Sequence, residues 1–324
     1  MAEGEIAAIG LDVGGSKTAG MVLTAGGAAV EQVRIPTDRS SQESVVAGVV
    51  QVAMELLEAA AAGGSEVAAV GVGFAGFIEF ARGLVTFSPN MPIRDLPLKN
   101  VLEQELSRPV FLDNDANVAA LAESRWGAGR RAQHMVQLTL GTGIGGGIII
   151  GRQLYRGGAG SAGEIGHMVI SAGGPPCCCG GTGCLEAMAS GTAMERMAEE
   201  IAAAEPSSSL ARLRAEVDRL DVRRLDEAAR AGDRLALGIF RQAGRSLGVG
   251  IANLINIFNP ELVVLSGGVT ASFDLMEAYL REAVGETAVG LSRESCEIVL
   301  SELEEEEVGA RGAALLALEL FTPN

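Results

Sequence analysis

The stretch IAAIGLDVGGSKTAGMVLT, residues 6–24, sets two apolar runs around a pair of glycines. Residues 6–13 read as a buried strand, because a short continuous apolar run bounded by a turn signal is what a strand covered on both faces leaves in a sequence. Gly14-Gly15 turns the chain, residues 19–24 read as the hairpin partner, and Gly26-Gly27 supplies a further turn. The arrangement recurs: residues 136–140 and 147–150 flank Gly141-Thr142-Gly143-Ile144-Gly145-Gly146-Gly147. This is a weak internal repeat of two strand–glycine turn–strand units. Two halves that each supply a phosphate-facing turn suit a nucleotide cleft between domains.

Working outward, residues 43–62 carry apolar side chains at helical spacing and end at Gly63-Gly64, a C-cap signal. Residues 67–72 and 110–112 read as strands, and 114–124 as a helix opened by Asp113-Asn114-Asp115. The region 192–258 is helical in pattern, with a polar break at Glu205-Pro206-Ser207-Ser208-Ser209. Residues 262–265 form a strand closed by Gly267-Gly268, a helix follows near 272–284, and a last helix spans 308–320. The segment 141–191 holds 17 of the 44 glycines and four of the five cysteines. Glycine weakens helix and strand interiors, so this segment is not mostly regular structure.

The 324 residues carry 25 Lys+Arg against 41 Asp+Glu, a net charge of −16. That balance lacks the cationic footprint of duplex nucleic-acid binding. With 48% hydrophobic residues the chain buries a sizeable core and is not a disordered tail. No segment reaches the 18 or so uninterrupted apolar residues of a membrane span, and the N-terminus lacks the basic region of a secretory signal. The expectation is a soluble, cytoplasmic protein without a membrane partner, in which disulfides are disfavoured.

Five motifs carry chemistry. In Asp12-Val13-Gly14-Gly15-Ser16-Lys17-Thr18, paired glycines let backbone N–H groups approach a phosphate, and Asp12 is placed to hold Mg²⁺ through water. It is not a Walker A loop, whose GxxxxGK[ST] spacing is absent here. Residues 141–147 match GxGxxG superficially. Ile148-Ile149-Ile150 follow, so a strand rather than a helix comes next, and a second phosphate turn with Thr142 donating fits better than a dinucleotide fingerprint. Asp113-Asn114-Asp115-Ala116-Asn117 suits a general base held by a neighbour, with helix capping as the plainer reading. In the fourth, His167 of Gly163-Glu164-Ile165-Gly166-His167 precedes Cys177, Cys179 and Cys184, a Cys₃His set suited to tetrahedral zinc. Cys178 is expected to point away. Leu265-Ser266-Gly267-Gly268-Val269 closes a strand with a turn able to pack against adenine or ribose.

In this order the motifs resemble the ROK family of sugar kinases and sugar-responsive repressors, from about Ile6 to Leu318. DVGGSKT, NDAN, GTGIGGG, GEIGH, CxCGxxGCLE and LSGGV each match a family pattern, and the cysteine motif together with GEIGH is the most specific. The resemblance implies an α/β fold of the actin-like, ribonuclease-H-like type, with ATP and sugar between two lobes. The small lobe is expected at 1–118 plus 308–324, and the large lobe, with the zinc-stapled loop, at 119–307. It implies Asp115 as the general base, and Gly76, Asn90, Asn114, Glu164, His167 and Glu186 as sugar contacts, His167 also ligating zinc. Asp12, Gly14, Gly15, Ser16, Lys17, Thr18, Thr142 and Gly143 would face phosphates and Mg²⁺, and Gly267 and Gly268 adenosine. Two departures stand out: Phe74-Ala75-Gly76 lacks a proline common in the family, and Asp113 replaces the usual glutamate before NDAN.

The activity implied is ATP-dependent phosphorylation of a hexose, foremost glucose at its 6-hydroxyl. Kinases for N-acetylglucosamine, N-acetylmannosamine, fructose or mannose share the core motifs. A non-catalytic repressor would carry a DNA-binding helix-turn-helix ahead of the first strand. That strand begins about five residues from Met1, and DVGGSKT is retained, so the kinase reading is preferred. A homo-oligomer, dimer or tetramer, is expected.

Overall fold

The computed structural model describes residues 6–321. In chain order the first elements are β1 (Ile6–Val13), β2 (Lys17–Thr24), β3 (Ala29–Pro36), α1 (Gln42–Ala62), β4 (Glu66–Phe74), β5 (Phe77–Glu79), β6 (Leu84–Phe87), β7 (Arg94–Leu96), α2 (Leu98–Leu106), β8 (Val110–Asn114) and α3 (Asp115–Trp126). Then come β9 (Met135–Leu140), β10 (Ile144–Ile150), β11 (Gln153–Leu154), α4 (Leu185–Ala189), α5 (Gly191–Ala204), α6 (Ser209–Glu216), α7 (Val222–Arg230) and α8 (Arg234–Phe258). The last are β12 (Leu262–Ser266), α9 (Glu277–Thr287), α10 (Gly290–Glu294), β13 (Glu297–Leu300) and α11 (Glu305–Leu320).

The chain divides into two compact units. The first takes the described residues up to Gln133, Gly147–Gly163 and those from Ser301 onward; the second takes His134–Gly146 and Glu164–Leu300. The boundary drawn from the sequence at 118 falls inside α3.

The first unit is built on a sheet of order β3-β2-β1-β4-β8. β1, β2 and β3 are antiparallel neighbours, whereas β4 and β8 run parallel to β1. One face carries α1, whose Val45, Val49, Val52, Ala53, Leu56 and Ala60 recur at helical spacing and are buried. Among the described residues α1 is the one helix long and apolar enough to cross a membrane, and this stripe packs into the core with Ile9, Leu11, Val22 and Val70. The opposite face carries α11, which lies against the strands at a distance only glycine permits. A Cβ on Gly10 would sit 1.9 Å from the Ala310 carbonyl oxygen, and one on Gly71 1.8 Å from that of Ala313. The alanine-rich sequence of α11 and these bare strand positions are two halves of one contact.

In the second unit β9, β12 and β13 are successive neighbours, with β12 parallel to both β9 and β13. The long helix α8 is capped by Asp233, which accepts from the N–H groups of Leu235 and Ala236. Its apolar face is core: Ile239, Phe240, Ala243, Leu247, Ile251 and Ile255 are buried. Gly244 and Gly248 bring α8 against the backbone of Met276 and Leu280, where a Cβ would stand 2.6 and 2.4 Å from carbonyl oxygens.

Candidate functional site

The strand register of the first unit gathers its motifs at one sheet edge. Val13 pairs with Phe74, and Phe74 with Asn114, at the carboxyl ends of three parallel strands. The chain leaves that row as Gly14-Gly15, Ala75-Gly76 and Asp115. Crevices beyond the carboxyl ends of parallel strands are where open α/β sheets bind ligands.

The β1–β2 turn is held from within. The Gly14 N–H donates to the Lys17 carbonyl at 2.9 Å, and Ala75 N–H reaches the Val13 carbonyl at 3.0 Å. Thr37, which the sequence reading did not single out, donates its hydroxyl to the Gly14 carbonyl at 2.8 Å and lies 3.0 Å from the hydroxyl of Thr18. Thr18 is therefore buried and braces the turn, while Ser16 is exposed at its tip. Gly15 backs onto Asn90, whose Cβ would be 3.1 Å from a side chain placed there. Asp12 is partly buried, and burial raises its carboxyl above the ordinary range, opposed by the charge of Lys17. Gly309 of α11 makes room for it, since a Cβ at that position would approach the Asp12 carboxyl carbon to 2.5 Å.

At the β8–α3 junction Asn114 is the N-cap. Its Oδ1 accepts from Ala116 N–H at 2.8 Å and Asn117 N–H at 3.3 Å, and its Nδ2 donates to the Gly76 carbonyl at 3.0 Å. Capping, the plainer reading of this motif, is observed, and the same amide ties two sequence-predicted positions, Asn114 and Gly76, together. Asp115 is the first residue of α3, partly buried, with Oδ1 accepting from Ala116 N–H at 2.9 Å. A carboxylate at a helix N-terminus meets its unpaired N–H groups and is stabilised there.

In the second unit the turn between β9 and β10 closes by Gly141 N–H donating to the Gly143 carbonyl at 3.0 Å. The N-terminus of α5 abuts it, Gly191 N–H donating to the Gly141 carbonyl at 2.9 Å and Thr192 N–H to that of Thr142 at 3.3 Å. The sequence did not announce this second support. Glu186, read as a sugar contact, accepts from Ile144 N–H at 2.9 Å, and a Cβ on Gly143 would lie 2.3 Å from that same oxygen. Gly267 ends β12 with φ +90°, and an added Cβ would be 2.5 Å from the Leu140 carbonyl oxygen, so glycine is required there twice over. Gly268 beside it is exposed.

The glycine-rich segment folds around its cysteines. Cys177 N–H donates to the Gly181 carbonyl at 2.9 Å, and Gly180 N–H to that of Cys177 at 3.0 Å, forming a tight knuckle. The donor atoms of His167, Cys177, Cys179 and Cys184 all lie within 4.8 Å of one another. Tetrahedral zinc, with bonds of about 2.3 Å to sulfur and 2.0–2.1 Å to nitrogen, implies sulfur–sulfur edges of about 3.8 Å and nitrogen–sulfur edges of about 3.5 Å. Cys179 Sγ lies 3.8 Å from Cys184 Sγ, and His167 Nδ1 lies 3.5 Å from Cys177 Sγ. The donor set fits the ion. Without a metal, burial pushes the Cys184 thiol up to about 12, whereas the Gly181 backbone N–H lowers that of Cys179.

Cys178 departs from expectation. It is exposed, yet its thiol does not stand apart from the loop: it donates to Glu186 Oε1 at 3.2 Å. One carboxylate therefore joins the β9–β10 turn to the cysteine knuckle. Glu164 lies 3.9 Å from His167 Nε2, and its carboxyl is raised by burial, with His167 opposing and Glu186 adding to the shift.

Residues 8–320 match the ROK family. The chain is 37% identical to a glucokinase of Thermotoga maritima over 96% of its own length and 97% of that protein's. It is 40% identical to a glucokinase of Halalkalibacterium halodurans, covering 83% of this chain and 82% of the relative. The crystal structure of a ROK family glucokinase from Streptomyces griseus, in complex with glucose and AMPPNP, superposes with a TM-score of 0.82 at 36% identity, over 97% of this chain and 99% of that one. The fold is the actin-like ATPase fold of ROK sugar kinases. Motif order, strand register and these likenesses agree, and the chain belongs to the ROK family.

Proposed function

We propose that the chain is an ATP-dependent hexose kinase that phosphorylates glucose at the 6-hydroxyl, in the cytoplasm where thiols stay reduced. The observation that carries this reading is the row Val13–Phe74–Asn114, which delivers a glycine turn, the Gly76 carbonyl and the Asp115 carboxylate to one sheet edge. The full-length likeness to glucokinases, one of them in complex with glucose and AMPPNP, supports it.

Asp115 accepts the proton of the 6-hydroxyl as that oxygen bonds to the γ-phosphorus and the bond from the γ-phosphorus to the bridging oxygen of ADP breaks. Asn114 fixes the helix start that presents Asp115. Gly76, Asn90, Glu164, His167 and Glu186 hold the sugar hydroxyls. Gly14, Gly15, Ser16, Lys17, Thr142 and Gly143 offer backbone and side-chain donors to the phosphates, with Thr18 bracing the first turn, and Gly267-Gly268 admits adenosine. Positioning and charge neutralisation dominate phosphoryl transfer. Bound Mg²⁺ would neutralise phosphate charge, and Asp12 is the residue to hold it through water. Zinc on His167, Cys177, Cys179 and Cys184 would order the loop that carries Glu164 and Glu186.

The test is a coupled ADP assay with glucose, mannose, fructose, N-acetylglucosamine and N-acetylmannosamine. Glucose is expected to give the highest kcat/KM, and Asp115→Asn to lower kcat by about 10²- to 10⁴-fold. Absence of turnover with every sugar overturns the reading, and preference for an acetylated sugar reassigns the substrate. A dimer or tetramer belongs to the same proposal and is checked by sedimentation velocity.

A further inference from the structure

The residue before Asn114 has no role in the chemistry proposed above, yet it is the most completely enclosed carboxylate at the β8–α3 junction. Asp113 is 1% exposed. Its Oδ1 accepts from Asn117 Nδ2 and from Asn114 N–H, each at 2.8 Å. Its Oδ2 accepts from Arg156 Nε at 2.8 Å. A buried carboxylate is tolerated only when paired and hydrogen-bonded. Here two of the three donors, the Asn114 N–H and the Asn117 side chain, belong to residues that flank Asp115 in the chain.

Arg156 is itself constrained. Its guanidinium carbon lies 4.2 Å above the ring of Phe80, a cation–π distance. Its carbonyl accepts from Ala162 N–H at 3.0 Å, closing the loop 156–162, and Gly160 of that loop backs onto Phe80, where an added Cβ would stand 3.0 Å from the Phe80 Cβ. The next residues are Gly163 and Glu164. The Asp113–Arg156 pair thus joins the strand end bearing Asn114 and Asp115 to the loop that runs into Glu164.

We infer that Arg156 and Asp113 are a positioning pair for phosphoryl transfer, holding the Asn114–Asp115 backbone where the base reaches the sugar hydroxyl. The inference rests on the reading of Asp115 as the base. The short Asp113 side chain stands at the end of β8, so its bond from Arg156 Nε holds the guanidinium against the strand itself. Arginine rather than lysine is needed, because Nε must donate to Asp113 while the planar face stays on Phe80.

The experiment uses the full chain with glucose and ATP. Arg156→Gln is expected to lower kcat about 10- to 100-fold, the range expected for a misplaced reacting group, with KM for ATP unchanged. Arg156→Lys should recover little of it. Arg156→Gln leaves a buried carboxylate unpaired and also lowers stability, so the double variant Asp113→Asn/Arg156→Gln separates the two effects. It is expected to regain thermal stability while kcat stays low. In an Asp115→Asn background, Arg156→Gln should cost nothing further, since it acts through the base. Recovery of kcat together with stability in the double variant, or a full additional loss in the Asp115→Asn background, overturns the inference. Wild-type kcat in Asp115→Asn itself overturns the assignment of the base, a distinct result.

Discussion

Glu186 makes the most direct prediction about the β9–β10 turn, through the residue it faces. Placing a methyl group on Gly143 puts a carbon 2.3 Å from Glu186 Oε2, against about 3.0 Å for the tightest real contacts. The carboxylate must retreat by about 0.7 Å, a movement that stretches or breaks its 2.9 Å bond from Ile144 N–H. Cys178 donates to the other oxygen, Oε1, at 3.2 Å, so a carboxylate that swings away loosens that bond as well. A hydrogen bond to a charged group contributes about 1.5–3 kcal/mol. Loss of that amount from the geometry of the phosphate turn lowers kcat/KM about 10- to 150-fold. Gly143→Ala is therefore expected to lose activity within that range in the coupled ADP assay while remaining folded by circular dichroism. The same substitution in a Glu186→Ala background should cost little more, since the clash has been removed. Wild-type kcat/KM in Gly143→Ala, or a loss of equal size in the Glu186→Ala background, refutes the reasoning.

Three further outcomes are expected. Metal analysis of the purified chain should find one zinc, and Cys184→Ser should lose the metal and lower Tm; full stability without metal would discard the Cys₃His site. Gly10→Ala should destabilise the first unit by about 3 kcal/mol, because the new carbon meets the α11 backbone at 1.9 and 2.3 Å and only displacement of the helix relieves it. A urea midpoint unchanged from wild type would contradict that packing. Glu123 is fully buried, its two oxygens engaged by Ser301 Oγ and Ala128 N–H, and burial raises its carboxyl above the ordinary glutamate range. A raised folded value means that the folded state binds the proton more tightly than the unfolded chain. The stability it contributes is full below about 4.5 and is lost as pH rises through the folded value. Glu123→Gln should flatten that part of the pH–stability curve, and an unaltered curve would exclude Glu123 as its source.

Much of this site was legible as local pattern. The apolar run before Gly14-Gly15, the cap of α3 and the cysteine spacing each depend on neighbours within about ten residues, so the sequence carries them directly. The Cys₃His set was named from spacing alone, and its donor atoms lie within 4.8 Å of one another, with two of the pairs at 3.5 and 3.8 Å. Less was visible where the pattern is weak. β3 is mostly exposed, its apolar residues interrupted by Glu31, Gln32 and Arg34, and the small sheet of β5, β6 and β7 has strands of only three or four residues. The clamp of Thr37 on Gly14 was missed for the same reason, since it hangs from β3.

By itself, the sequence determined the order of strands and turns, the family, and which residue types stand ready for phosphate, sugar and metal. Only the tertiary structure decided which of them meet. Strand register placed Val13, Phe74 and Asn114 in one row, although they are separated by whole helices in the chain. Packing brought Arg156 onto Asp113 across 43 residues and Glu186 onto Ile144 across 42. Such pairings leave no periodicity in a sequence. They arise because buried carboxylates and backbone N–H groups must find partners wherever the packed fold brings a partner near.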